Sequence, residues 1–142
     1  MYILEPIRFS IHNRHYNLQF NHTNLLQITG NAASGKSLFF RDYKEYLKKV
    51  GKEKEVLFIN YENPKDANVI HDNILLSRFK TVVIDNADII VNERLDRVIV
   101  NNTDIYWVLI GRNMYMSIPL GCLGVLSRNE KGEIIIDYTK KW

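Results

Sequence analysis

Residues 25–50 read LLQIT GNAASGKS LFFRDYKEYLKKV, and this stretch decides the fold. Leu25–Thr29 is a short apolar run of strand type that stops at Gly30. From Lys36 the period changes to a helical one, with Phe39, Tyr43, Tyr46, Leu47 and Val50 on one face and Gly51 as the stop. Between them lies G-x-x-x-x-G-K-[ST] with every fixed position filled. Glycines at 30 and 35 admit backbone angles that a Cβ opposes, so successive N–H groups can turn inward as an anion nest. The helix that follows adds its unpaired N–H groups and the positive end of its dipole.

Outward from this unit, the chain alternates apolar strands and helices. VLFIN at 56–60, TVVI at 81–84 and IYWVLI at 105–110 are buried-strand runs. Helices are expected from Asn63–Pro64 to about Phe79, with Ile70, Ile74 and Leu75 or Leu76 inward, and over residues 92–100. Alternation through Ile7, Phe9, Ile11 and through Tyr16, Leu18, Phe20 predicts an N-terminal hairpin. Residues 123–126 and 134–138, joined by a turn at 129–132, predict another at the C-terminal side. Uniformly apolar strands imply a parallel sheet covered on both faces. In such sheets ligands bind where loops leave the carboxyl ends of strands.

TVVID at 81–85 is a second landmark: Thr81 and three apolar residues, then Asp85 at the end of the strand. GNAASGKS together with VVIDNAD resembles the additional-strand division of P-loop NTPases, which includes RecA-like, AAA-type and ABC-type ATPases. The resemblance implies an α/β P-loop three-layer sandwich with a mostly parallel sheet, here with β-hairpins at both ends. It also implies that the acidic (Walker B) strand is separated from the P-loop strand by another, for which Ile105–Ile110 is the candidate. The hairpin leading into the P-loop strand is most similar to the ABC arrangement, although no LSGGQ-like signature follows. Within the loop the nucleotide-binding residues are Gly30, Asn31, Ala32, Ala33, Ser34, Gly35, Lys36, Ser37 and Leu38. Lys36 sets an ammonium against the β- and γ-phosphates, and Ser37 with Asp85 serves Mg²⁺.

Many members of that division carry Glu directly after the Walker B Asp to orient the attacking water; this chain has Asn86. Glu62, in INYEN, resembles the catalytic glutamate of RecA-like enzymes in placement, and Asp88, in IDNAD, is the other nearby carboxylate. Each is also readable as a cap, Glu62 of the helix after Pro64 and Asp88 of the one after it. Arg112 and Asn113 follow the fourth buried strand, where AAA-type proteins keep a γ-phosphate sensor. Arg128 reads as an arginine finger toward a neighbouring subunit or as a solvated turn residue.

Length and composition fit one domain spanning 1–142, since 142 residues with 46% hydrophobic content suffice for a core. One cysteine, Cys122, excludes an internal disulfide and favours a reducing, cytoplasmic setting. The segment MYILEPIRFS lacks the basic and apolar regions of a signal peptide, and no apolar run reaches membrane-span length. A net charge of +3 suits an anionic ligand and supports nucleic acid only weakly, because Glu45, Glu53 and Glu55 dilute the lysines at 44, 48, 49, 52 and 54. The four histidines show no zinc spacing with Cys122. The expected function is ATP binding with Mg²⁺-dependent hydrolysis or switching, driven by a protein partner or self-association. The alternatives are a non-hydrolysing nucleotide-binding module of a larger assembly and a small nucleoside or metabolite kinase.

Overall fold

A computed structural model describes residues 6–20, 24–30, 35–60, 72–87, 93–112 and 123–138. Its strands are β1 (Ile7–Ile11), β2 (Arg14–Leu18), β3 (Leu25–Thr29), β4 (Val56–Ile59), β5 (Thr81–Ile84), β6 (Tyr106–Ile110), β7 (Leu123–Arg128) and β8 (Ile134–Asp137). Its helices are α1 (Lys36–Lys49), α2 (Asn73–Leu76) and α3 (Glu93–Asn101). All eight strands join in one sheet, in the order β1-β2-β8-β7-β3-β6-β5-β4.

This overturns the expected three-layer α/β sandwich with hairpins at both ends. The described chain is mostly strand, a mixed sheet curled into a half-barrel, with three short helices instead of helix-rich layers. The two hairpins also lie together at one end. β7 pairs parallel with β3, β8 pairs parallel with β2 through Tyr16 and Ile134, and β4 forms the other end. The physical reason is the curl. An apolar strand needs its faces covered, but the cover need not be helix. Here β1 and β2 bend over α1, so the Phe9 ring stacks on Tyr43 and Tyr46 of the helix at centroid distances of 5.1 and 5.0 Å.

The parallel block β7-β3-β6-β5-β4 is in register along its length, and β6 lies between β3 and β5. One core gathers Phe9, Tyr16, Leu26, Ile28, Phe39, Tyr43, Val83 and Val108 around α1. The other gathers Leu25, Leu76, Ile84, Ile99, Trp107 and Leu109 beneath α2 and α3. Helix α1 ends in a Schellman turn, with Lys52 N–H bonded to Leu47 O at 2.8 Å, Gly51 N–H to Lys48 O at 3.3 Å, and Gly51 at φ 75°. In α2, Leu76 is the inward residue and Ile74 is 74% exposed, because Asp72 caps the helix and fixes its rotation. Residues 61–71, the start of the helix expected there, lie outside the described residues.

Candidate functional site

The parallel block brings four strand ends to one edge. Ile28 pairs with Ile110, Leu109 with Ile84, and Ile84 with Ile59. Gly30, Arg112, Asp85 and Asn60 therefore leave the sheet side by side. The motifs at 30–37 and 81–85 are far apart in sequence, and the register brings them to this common rim.

At β3 the chain leaves through Gly30, with φ 133°, and enters α1 through Gly35, with φ 86° and ψ 10°. A Cβ at Gly35 would meet nothing within 4 Å, so the left-handed backbone alone calls for glycine there. Gly35 O accepts the first helical bond from Phe39 N–H at 3.0 Å. Lys36 is buried, and its Nζ donates to Gly30 O at 2.5 Å, drawing the ammonium back across the loop. A buried ammonium needs oxygen partners, and the Gly30 carbonyl is one of them. Ser37 is exposed on the first turn of α1, and Leu38 is half-buried beside it. Asn31, Ala32, Ala33 and Ser34, the interior of the loop, lie outside the described residues.

Asp85 is half-buried at the end of β5. Its N–H bonds to Ile59 O at 2.8 Å, and its Oδ1 accepts Asn86 N–H at 2.9 Å. Asn86 is exposed and takes φ 54°, a left-handed turn that asparagine accepts more readily than glutamate. The departure from Glu at this position thus has a local backbone cause. Arg112 is exposed just past β6, and the preceding Gly111 N–H bonds to Ile28 O at 3.0 Å. Glu62, Asp88 and Asn113 lie outside the described residues.

Two features, one at this site and one beneath it, escaped the sequence reading. Asn60, at the end of β4, carries a buried Oδ1 with no hydrogen-bond partner among the described residues, an acceptor one strand from Asp85. The other lies under α1, where Asp42 is 1% exposed and accepts hydrogen bonds from Tyr16 Oη, at 2.5 Å, and from the Arg14 guanidinium. Burial pushes the Asp42 carboxyl up, but hydrogen bonds from Arg14 and Tyr16, aided by the Arg14 charge, outweigh it and hold it below the usual range. Burial, then the bond to Asp42, raises the Tyr16 phenol. The signal for this clamp was a carboxylate at 42, three residues after Phe39 and beside Tyr43, on the apolar stripe of a helix.

On the flank of β3 away from Asp85, the start of α1 and the β7–β8 hairpin enclose an open cleft of about 350 Å³. Gly35, Leu38, Leu126, Ser127, Arg128 and Ile134 line it, over Tyr16. Among the described residues, no group of three or more His, Cys, Asp or Glu side chains is arranged to hold a metal alone. No helix among them is long and apolar enough to cross a membrane. Set against models of protein families and against characterised proteins, the sequence matches none of them.

Proposed function

We propose that this chain is a P-loop protein that binds ATP with Mg²⁺, and hydrolyses it or switches upon it when a protein partner or a second copy engages the site. One observation carries the reading. A strand, a turn bounded by two positive-φ glycines and a helix opening on a buried lysine stand at the same rim as Asp85, with β6 between the two strands. An anion seated at the start of α1 would receive backbone N–H groups and the helix dipole. Lys36 would exchange the Gly30 carbonyl for phosphate oxygens.

The donors fit a magnesium ion in kind. Ser37 offers a hydroxyl and Asp85 a carboxylate, both hard oxygens, and magnesium takes few protein ligands when phosphates supply the rest. When bound, the ion would neutralise charge on the phosphates. The chain's own part is positioning: the loop fixes the phosphates, and Asp85 is held in place by the Asn86 turn. Arg112 is the described residue for sensing the γ-phosphate. Glu62 and Asp88 are the proposed water-activating carboxylates, and Asn113 is the alternative sensor. The single cysteine supports a cytoplasmic setting.

A second reading is favoured by Asn86. With an amide in an exposed left-handed turn after Asp85, that position supplies no base, which suits a module that holds nucleotide without cleaving it. Mg²⁺-dependent ATP binding and turnover, measured beside Lys36→Ala, decide between them. Turnover lost in the variant supports the ATPase. Binding by the native protein and not the variant, with no turnover in either, supports the module or a missing activator. Neither binding nor turnover in the native protein overturns both.

A further inference from the structure

The cleft beside β7 has a place in the geometry that the phosphate loop does not account for. Gly35 and Leu38 belong to both features, so the cleft begins where the loop ends. Asp85 lies two strands from β3 on one side, and β7 adjoins β3 on the other. A nucleotide with its metal-binding phosphates turned toward Asp85 has its nucleoside directed to the opposite flank. That flank is the one with room.

The walls suit a flat heterocycle. Leu38, Leu126 and Ile134 offer apolar surface, while Ser127 and Arg128 place polar groups at the lip. The Tyr16 hydroxyl on the floor is committed to Asp42. Arg128 is exposed at the last position of β7, and its Nη1 donates to Gly132 O at 3.4 Å. A guanidinium has five donors and no acceptor, and it also stacks well on aromatic faces. It therefore favours the base with the larger face to stack upon, a two-ring purine over a one-ring pyrimidine. The volume of about 350 Å³ lies within the range of small-molecule sites.

We infer that this cleft is the nucleoside subsite, that it takes a purine, and that Arg128 is its specificity residue. The inference rests on the nucleotide-binding reading above. It assigns the β7–β8 hairpin a role in recognition within the same subunit.

Titration calorimetry with ATP, CTP and inorganic tripolyphosphate, each with Mg²⁺, tests it on the native protein, Arg128→Ala and Ile134→Trp. The native protein should bind ATP more tightly than CTP. Arg128→Ala, at an exposed position, should weaken ATP by roughly fivefold or more, erase the ATP-over-CTP preference and leave tripolyphosphate unchanged. Ile134→Trp should weaken ATP in the same selective way by filling the cleft. Equal binding of ATP and CTP by the native protein, or unaltered ATP binding by Arg128→Ala, overturns the subsite while leaving phosphate binding intact. Failure of the native protein to bind either ATP or tripolyphosphate overturns the nucleotide reading first, and the subsite with it.

Discussion

Arg14 grips Asp42 through two parallel hydrogen bonds, Nε to Oδ2 at 2.6 Å and Nη2 to Oδ1 at 2.8 Å. The arginine begins β2 and the aspartate sits in the second turn of α1, so the pair fastens the curled hairpin to the helix that carries Lys36. The guanidinium side chain keeps 27% of its surface in solvent and the carboxylate 1%. Such a fork is directional, and lysine cannot reproduce it. The rigidity of the loop's helical wall thus depends on a contact well below the loop.

Asp42→Ala should lower unfolding stability by about 2–3 kcal/mol at neutral pH, because it strands a buried tyrosine hydroxyl and a partly buried guanidinium. Asp42 has a depressed pKa when folded. Its contribution is therefore fully present above its unfolded pKa of about 3.9 and fades as pH falls through the lower folded value. Denaturant titrations should show a constant gap between native protein and Asp42→Asn from about pH 5 to 8, narrowing below about pH 4. A gap that persists unchanged in acid would remove the carboxylate from the account.

The alkaline limb should behave in the opposite sense. Burial lifts the Tyr43 phenol to about 12, and burial with the Asp42 bond lifts Tyr16. Both phenols thus hold their protons more tightly folded than unfolded. The stability they supply is intact below the unfolded value of about 10 and is lost as pH rises from there toward about 12. Tyr16 and Tyr43 should titrate late by phenolate absorbance. Their ionisation should coincide with loss of tertiary circular dichroism.

Gly35→Ala isolates backbone conformation from crowding, since the added methyl has open space around it. The cost of an alanine at φ 86° should be about 1–2 kcal/mol of stability. Tripolyphosphate binding should weaken with it, because the change alters the direction of the loop's N–H groups. Alanine tolerated on both counts would mean that the glycine is not needed for its angle.

Asn86 offers a parallel case with an exposed side chain. Asn86→Gly should match the native stability to within about 0.5 kcal/mol. Asn86→Val should lose about 1–2 kcal/mol, a β-branched residue being least suited to φ 54°. Thermal melts of the two variants check this directly.

The parts legible in sequence were those whose requirements are local. Glycine at 30 and 35, lysine at 36 and an aspartate ending an apolar run each answer to a few neighbouring atoms. Both hairpins were also visible, although the first turns on His12 and Asn13 alone, at φ 50° and 61°, and Arg14 already belongs to β2. Their location was not visible. Pairing of Tyr16 with Ile134 joins distant segments, and no local pattern encodes which sheet edge a hairpin will choose. The expected helical layers failed for the same reason, since burial of Phe9 and Tyr16 is satisfied by curvature. The Arg14–Asp42 fork left a trace only as a charge on an apolar helical stripe. Ile74 and Leu76 share the apolar character that sequence can see, and only the Asp72 cap tells them apart.

The Tyr138 hydroxyl donates to Gln19 O across 119 residues, and β8, last of the described strands to leave the ribosome, is the one that docks beside β2. During synthesis the edge of β2 that pairs with β8 therefore stays open until nearly all of the described chain has emerged. Closing so long a loop is entropically slow and comes late. Gly30, Gly35 and Lys36 are translated early, but the β7–β8 wall beside them is completed among the final steps. A nascent chain thus closes the cleft proposed to hold a nucleotide only by finishing the fold, which makes that cleft a marker of completed folding.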